Sequence, residues 1–377
     1  MPLYLDGSLY LNHRSRGSTF STPQHLGRHV SRTLASTGRY SSTHPLLSAF
    51  FTDLMFLHKE LGPRPELLES LFNTPASPES EDCLSINVFA PTTRFPDARH
   101  AVVVFIHGGG WQLGHGRLDL SAFAAYEGII AVTPNYRTNV FGFPASPEIP
   151  PSEQNLCLHD QRLALAWVQD NIATFGGDPS KVALWGQSAG SFSVDHHLKA
   201  YAKDTLVPFH GAIMSSGQMS FGHLAHPSPG MEASIPAKTL ISTMRKYRIT
   251  FGTQFDNSTV LSKPGELWRN GYVVKLPILK GTVEEEGRGL VNDKVNMTAF
   301  FDAYLPPALV PFEDRETIIS MYRSDPSVIT DFDLASAIYT DFLWSCVRSP
   351  PTDSYQTLKL LTTGAAAIYT CVDSIFD

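Results

Sequence analysis

A serine lies between two glycines at the end of an apolar segment, and this feature constrains the fold more than any other in the chain. The run is Trp185-Gly186-Gln187-Ser188-Ala189-Gly190, and it directly follows the β-rich residues 181–184. A Gly-x-Ser-x-Gly run after a strand is typical of a nucleophile elbow, a strand-to-helix turn too sharp for larger neighbours. The sequence therefore predicts that a strand ends at Ser188 and exposes its hydroxyl group. The alternative is an ordinary glycine-rich turn.

A second glycine-rich loop follows an apolar run upstream. Residues 101–106 are Ala-Val-Val-Val-Phe-Ile and predict a buried strand, which leads into His107-Gly108-Gly109-Gly110-Trp111. We call residues 107–111 the oxyanion loop, because free backbone N–H groups in such a loop stabilise the negative oxygen of a tetrahedral intermediate. The predicted donors are the N–H groups of Gly109, Gly110 and Ala189, the last being the residue after the serine. The alternative is a tight turn before a helix.

Further motifs occur in a fixed order around these two. They are residues 81–88, 135–137, 142–143, 160–161, 164–168, 171–172, 175–179 and 281–287. Together they resemble the type-B carboxylesterases and lipases, which include the cholinesterases and the fungal extracellular lipases. The resemblance runs from about Glu81 to about Leu290. Gln187, the residue before the serine, points to the fungal lipase branch, which often has glutamine there where many esterases have glutamate. It implies an α/β-hydrolase fold, ester hydrolysis and no metal or organic cofactor.

The apolar runs independently predict the fold class. Residues 101–106, 128–134, 181–185, 211–214 and 276–279 are short and continuous, as buried parallel strands are. Between them, residues 159–175 carry apolar side chains at helical spacing and end at Gly176-Gly177. We predict a doubly wound, mostly parallel sheet with helices on both faces, incomplete at its termini.

An acid that orients the catalytic base is expected after the serine in chain order. Glu286 follows the predicted strand 276–279, and the resemblance places the family's glutamate just before the glycine that matches Gly287. The alternative is a solvated acidic loop, because Glu284 and Glu285 are adjacent. Asp178 is a weaker candidate, since the resemblance makes its turn structural.

The catalytic histidine is not identified by the sequence. All 14 histidines lie at or before His226, whereas the resemblance implies a histidine well after Glu286. We therefore expect the C-terminal part of the domain to be missing, and we do not expect His107, His115, His196 or His197 to replace it. Two functions follow: a serine ester hydrolase with an incomplete sequence, or an inactive fragment or cholinesterase-like binding or adhesion homologue.

Residues 1–80 differ in composition from residues 81–377, which we predict to be the hydrolase domain. From Gly7 to Thr52 the chain has no acidic residue and no lysine, although it has five arginines. Disorder is the prediction for residues 1–80. An organellar transit peptide and a wrongly assigned gene start are the alternatives.

The overall composition limits the partners. The chain has 377 residues, 42% of them hydrophobic, and a formal net charge of -7, which gives no support for a nucleic-acid partner. No apolar run reaches the roughly 18 residues of a membrane span, and no secretory signal is evident. A small-molecule or lipid ester is the predicted substrate, and Trp111, Phe141 and Phe143 are candidates for an apolar pocket, unless they belong to the core. Oligomeric state and compartment are not predicted.

Overall fold

The computed structural model describes residues 83–91, 99–147, 149–218, 239–240, 243, 251–307, 310–345 and 357–359. Within these residues the chain forms one seven-stranded sheet. The strands in chain order are β1 (Ile86–Phe89), β2 (His100–Ile106), β3 (Ile130–Pro134), β4 (Gly177–Gln187), β5 (Gly211–Ser215), β6 (Ile278–Gly281) and β7 (Thr357–Lys359). Their order across the sheet is β1-β3-β2-β4-β5-β6-β7. Strand β1 is antiparallel to β3, and every other neighbouring pair is parallel.

Helices connect most of these strands. In chain order they are α1 (Ser121–Tyr126), α2 (Asn139–Gly142), α3 (Leu156–Asn171), α4 (Ala189–Ala200), α5 (Pro264–Arg269), α6 (Glu286–Leu290), α7 (Met297–Tyr304), α8 (Phe312–Arg323) and α9 (Asp331–Thr340). Short 3₁₀ turns occupy Pro151–Glu153 and Ile172–Phe175, and a π-helical turn occupies Asp341–Ser345. None of the described helices is long and apolar enough to cross a lipid bilayer.

The residues of β2 are almost all apolar because other elements cover both faces of the strand. Val102, Val104 and Ile106 belong to the main core, which also contains buried side chains of α3 and α4. The alternate residues Val103 and Phe105 pack in a second cluster on the other side, with side chains from α1 and its N-terminal flank. Both faces of the strand are therefore covered, as in other doubly wound sheets. The predicted α/β fold with helices on both faces is confirmed.

The predicted strands and helix are all present, with different ends. The helix predicted at 159–175 begins three residues earlier, as α3, and its last turn is the 3₁₀ turn Ile172–Phe175. Gly176 ends that turn with a φ of 89°, a left-handed conformation that glycine adopts without steric cost. Strand β4 begins at Gly177 rather than at 181, because Gly177 pairs with His100 of β2. The predictions for residues 1–80 lie outside the described residues and stay predictions.

The turn between β4 and α4 is packed directly onto the end of β2. A Cβ atom added to Gly190 would overlap the carbonyl oxygen of Ile106, the last residue of β2. A Cβ atom added to Gly186 would overlap the carbonyl oxygen of Gly190. At both positions the added Cβ atom would overlap backbone atoms, so moving a side chain cannot make room for it. Gly186 and Gly190 are therefore required because the neighbouring backbone leaves no space for a side chain.

Replacing Gly190 tests this packing. We expect Gly190→Ala to lower the free energy of unfolding by about 3 kcal/mol, because the added methyl group forces the turn away from β2. Gly289→Ala is the matched control, since Gly289 lies in α6 with no neighbouring atom within 4 Å of its Cβ position. There we expect a change of at most about 1 kcal/mol, in the stabilising direction. Urea unfolding followed by circular dichroism measures both, and equal effects would contradict the proposed contact.

Candidate active site

Ser188 connects β4 to α4 in a strained backbone conformation. Its φ is 52° and its ψ is -123°, a region that residues other than glycine rarely adopt. The N–H group donates to the carbonyl oxygen of Ser215 at 2.9 Å, and the Ser188 carbonyl oxygen accepts from Phe192 N at 3.0 Å. Such strain costs on the order of 1–3 kcal/mol and persists only where the surroundings enforce it. The geometry is that of the nucleophile elbow predicted from the sequence.

The oxyanion loop follows β2 and contains three consecutive left-handed residues. The φ angles of Gly109, Gly110 and Trp111 are 106°, 60° and 59°. The Gly109 carbonyl oxygen accepts from Gln112 N at 3.0 Å and from Leu113 N at 3.2 Å, which closes the turn. Within the described part of the chain, no group accepts a hydrogen bond from the N–H of Gly109 or Gly110. Among the described residues these two N–H groups are therefore unused as donors.

The oxyanion loop lies against the serine. A Cβ atom added to Gly108 would be 3.2 Å from Cβ of Ser188 and would also meet the side chain of Gln187. Ala189 is the first residue of α4, where a backbone N–H has no acceptor inside the helix. The structure thus brings together the predicted nucleophile and the elements that carry all three predicted oxyanion donors.

His107, the first residue of the oxyanion loop, is held by a hydrogen bond and by a ring contact. One ring nitrogen, Nδ1, donates to the carbonyl oxygen of Gly108 at 2.8 Å, and the ring stacks on Tyr136 with centroids 4.1 Å apart. The Tyr136 hydroxyl donates to the His107 carbonyl oxygen at 2.5 Å. Burial lowers the pKa of His107 to about 3, so the ring is neutral at physiological pH. Its contacts are those of a structural residue.

Glu286 begins α6, just beyond the end of β6. Its Oε1 accepts from Val283 N at 3.1 Å, and the hydroxyl group of Ser216 also hydrogen-bonds to the carboxylate. Ser216 directly follows β5, and its N–H donates to the Gly281 carbonyl oxygen at 2.8 Å. Ser188, Ser216 and Glu286 thus follow three adjacent strands, β4, β5 and β6, at the same edge of the sheet.

Gly287, the residue after Glu286, packs against α9, and Glu286 differs in burial from the neighbouring acidic residues. The Gly287 N–H donates to Oγ1 of Thr340 at 2.9 Å, and Gly287 approaches the backbone of Ser336 so closely that a Cβ atom would overlap it. Glu286 is half-buried, whereas Glu284 and Glu285 are exposed. The alternative of a solvated acidic loop therefore describes the two neighbours and not Glu286.

Burial raises the pKa of Glu286 above its usual value, and the hydrogen bonds from Ser216 and Val283 act in the opposite direction. Asp178, the weaker candidate, lies near the start of β4, far along the strand from Ser188. Its Oδ1 accepts from Ser180 N at 3.0 Å and from the Ser180 hydroxyl at 2.6 Å. Asp178 therefore holds the backbone of Ser180 at the opposite end of the strand.

None of the four histidines considered as replacement bases hydrogen-bonds to Ser188 or Glu286. His115 accepts from the N–H of Arg117 at 3.3 Å, and the ring of His107 is turned toward Tyr136. Neither ring nitrogen of His196 has a hydrogen-bond partner among the described residues, and burial lowers the pKa of His196 to about 3. His197 contacts Gln161 through Nε2 at 2.9 Å, and burial lowers its pKa well below the usual value.

Two of the aromatic side chains predicted as pocket candidates lie in the core. Trp111 and Phe143 are buried, with an edge-to-face contact between ring centroids 5.9 Å apart. Phe141 is partly buried against the same core. Two residues near Glu286 were not predicted from the sequence: Ser216, whose hydroxyl group hydrogen-bonds to the Glu286 carboxylate, and Thr340, which accepts from the Gly287 N–H. A polar residue directly after a strand, at the edge of the sheet that carries the predicted nucleophile, is the signal that could have identified Ser216.

Comparisons with known proteins agree with this geometry. Residues 58–240 match the model of the carboxylesterase family. Lipase 2 of Geotrichum candidum is 32% identical over 273 residues, covering 58% of this chain and 47% of the lipase. The para-nitrobenzyl esterase of Bacillus subtilis (strain 168) is 35% identical over 254 residues, covering 60% of this chain and 51% of the esterase. The chain thus spans about half the length of these relatives.

Solved structures show the same likeness. A thermophilic para-nitrobenzyl esterase matches with a TM-score of 0.58 at 29% identity, over 74% of this chain and 62% of that one. A second para-nitrobenzyl esterase matches with a TM-score of 0.57 at 28% identity, over 72% of this chain and 62% of that one. The fold is therefore the α/β-hydrolase fold that the motifs indicated.

The titration of Glu286 tests its environment without an activity assay. Because the pKa of Glu286 is raised in the folded protein, the free energy of unfolding should fall, relative to Glu286→Gln, as the pH rises above 4.5. Ser216→Ala removes a hydrogen bond to the charged form and raises the folded-state pKa further, so the fall should become larger and extend to higher pH. Glu284→Gln, at an exposed neighbour, is the matched control and should follow the wild type. Parallel pH profiles for wild type and Glu286→Gln would contradict this environment.

Proposed function

Because the chain belongs to the type-B carboxylesterase and lipase family, we propose that it is a carboxylic-ester hydrolase acting through Ser188 and an acyl-enzyme intermediate. The backbone of Ser188 carries the proposal. Its left-handed conformation ends β4 and places the residue against the oxyanion loop, in which the N–H groups of Gly109 and Gly110 have no acceptor among the described residues. A strained serine beside free backbone donors is the arrangement that acyl transfer requires.

In the first step, Oγ of Ser188 attacks the carbonyl carbon of the ester, and its proton passes to a base. The carbonyl oxygen becomes an oxyanion, which the N–H groups of Gly109, Gly110 and Ala189 stabilise. The tetrahedral intermediate then collapses: the carbon–oxygen bond to the alcohol breaks, and the alcohol leaves with the proton from the base. The products of this step are the free alcohol and an ester between Ser188 and the acyl group.

In the second step, water attacks the acyl-enzyme and gives its proton to the same base. The second tetrahedral intermediate uses the same three donors, and its collapse releases the carboxylic acid and returns the proton to Ser188. Glu286 orients the base and stabilises its protonated form. A histidine is the expected base, and none of the described histidines holds that position.

The substrate class follows from the chemistry and from the relatives. Lipases and para-nitrobenzyl esterases are named for the esters they cleave, which supports a small-molecule or lipid ester as the substrate of this chain. The site needs no metal ion or organic cofactor for the two steps above, since the oxyanion is held by backbone donors.

Hydrolysis of p-nitrophenyl butyrate tests the proposal. We expect the protein to release p-nitrophenol faster than Ser188→Ala, because loss of the nucleophile costs on the order of 10⁶ in turnover in serine hydrolases with a complete triad. Ser152→Ala, at an exposed serine in a 3₁₀ turn, is the matched control and should behave as the wild type. Because no described histidine hydrogen-bonds to the serine, each protein is assayed with and without imidazole as a diffusible base.

The Ser188→Ala protein, measured in the same buffers, corrects for hydrolysis by imidazole itself. A rate above this background in either buffer supports the hydrolase. Equal rates for wild type and Ser188→Ala in both buffers, with both proteins folded, would contradict it. That outcome would favour the non-catalytic binding homologue instead.

A further inference from the structure

One buried hydroxyl group touches both halves of the candidate oxyanion site. Ser193 lies on α4, five residues after Ser188, and is fully buried. Its Oγ accepts a hydrogen bond from Trp111 Nε1 at 2.9 Å and donates to the carbonyl oxygen of Ala189 at 3.0 Å. Trp111 belongs to the oxyanion loop, and Ala189 belongs to the turn between β4 and α4 (residues 186–190), which we call the serine turn. The two segments are 78 residues apart in sequence and meet at this oxygen atom.

The orientation of the hydroxyl group is determined by a third contact. Gln161 Nε2 donates to Ser193 Oγ at 3.2 Å, and the amide oxygen of Gln161 contacts His197 Nε2 at 2.9 Å. The Gln161 amide oxygen can only accept, so His197 Nε2 carries the proton; Nδ1 is then unprotonated, because burial lowers the pKa of His197 and keeps the ring neutral. The amide nitrogen must then face Ser193.

Ser193 consequently uses its whole hydrogen-bonding capacity. A hydroxyl group has two lone pairs and one hydrogen. Here Trp111 and Gln161 occupy the lone pairs, which leaves the single hydrogen for the Ala189 carbonyl oxygen. The hydroxyl group has no second orientation that satisfies all three partners, so the distance between the loop and the turn is fixed through it.

Trp111 needs such an anchor because its backbone is strained. Its φ of 59° is left-handed, although the residue is large and is not a glycine. The backbone carbonyl oxygen is held by the N–H of Asn139 at 2.6 Å, and the ring packs among buried aromatic side chains. Since Trp111 directly follows Gly109 and Gly110, any rotation of Trp111 re-aims the N–H groups of those glycines.

We propose that Ser193 is a positioning residue that sets the distance between the oxyanion loop and the serine turn. The proposal rests on the proposed function, because the donors it aligns are those of the candidate oxyanion site. Oxyanion stabilisation requires donors within about 2.7–3.1 Å of one oxygen atom, and a misplacement of about 1 Å can cost about 10²-fold in rate. Removing the hydroxyl group leaves Trp111 Nε1 as a buried donor without its acceptor and leaves Gln161 Nε2 with the Cys157 Sγ atom at 3.4 Å, which removes the restraint on the Trp111 ring.

Ser193→Ala and Trp111→Phe remove the two ends of the loop contact. Trp111→Phe keeps an aromatic ring and deletes the Nε1 donor. We expect each variant to lower kcat by about 10- to 100-fold with KM within about twofold, since only transition-state stabilisation is lost. We expect the double variant to lose little more than either single variant, because both remove one interaction. The assays use the imidazole conditions in which the wild type exceeds Ser188→Ala.

Ser191→Ala is the matched control. Ser191 lies on the same helix and is also fully buried, but its hydroxyl group donates to the Gly217 carbonyl oxygen at 2.6 Å and not to the oxyanion loop. Its effect should add to that of Trp111→Phe. Additive losses for Ser193→Ala and Trp111→Phe, or a change in KM alone, would overturn the proposal.

Amide hydrogen exchange gives a readout that does not depend on hydrolysis. Peptides covering the oxyanion loop should exchange faster in Ser193→Ala and Trp111→Phe than in wild type or Ser191→Ala. If the wild type hydrolyses no faster than Ser188→Ala, the proposed function fails, and exchange alone decides whether Ser193 positions the loop. Unchanged exchange in Ser193→Ala would overturn the proposal in either case, as would faster exchange with unchanged kcat in an active enzyme.

Discussion

The contact between the serine turn and the end of β2 is the constraint on which the rest of the site depends. Gly190 approaches the Ile106 carbonyl oxygen too closely for any side chain, and Gly108 approaches Ser188. Because the contact between Gly190 and Ile106 joins backbone atoms, the order of β2 and β4 in the sheet sets the position of Ser188 relative to the oxyanion loop. The strained φ of Ser188 persists because its N–H and carbonyl groups are both held by neighbouring elements.

Sequence analysis located the parallel strands because strands buried on both faces are continuous apolar runs. It missed the first part of β4, where Gly177 pairs with His100, because glycine and proline in residues 177–180 predict a turn and only the neighbouring strand makes them extended. The serine motif and the glycine-rich loop were found because steric and backbone requirements leave few residue choices. Their predicted roles stay predictions until activity is measured.

The residues that hold the site were harder to find from sequence. Ser193 is a small polar residue on a mostly buried helix, and its partners Trp111 and Gln161 lie 82 and 32 residues away. Nothing in the local pattern distinguishes it from Ser191. Glu286 was identified by chain order, but its separation from Glu284 and Glu285 depends on α9, which packs against Gly287. The rings of His107 and His196 are neutral at physiological pH because burial lowers each pKa to about 3, so they are poor proton carriers there.

The most direct measurement is a crystal structure of the protein after reaction with a fluorophosphonate, which mimics the tetrahedral intermediate once fluoride has left. The account predicts phosphorus bonded to Oγ of Ser188, with one phosphoryl oxygen within about 2.7–3.1 Å of the backbone nitrogens of Gly109, Gly110 and Ala189. An adduct on another residue would contradict the account. So would an adduct on Ser188 whose phosphoryl oxygens point away from the oxyanion loop.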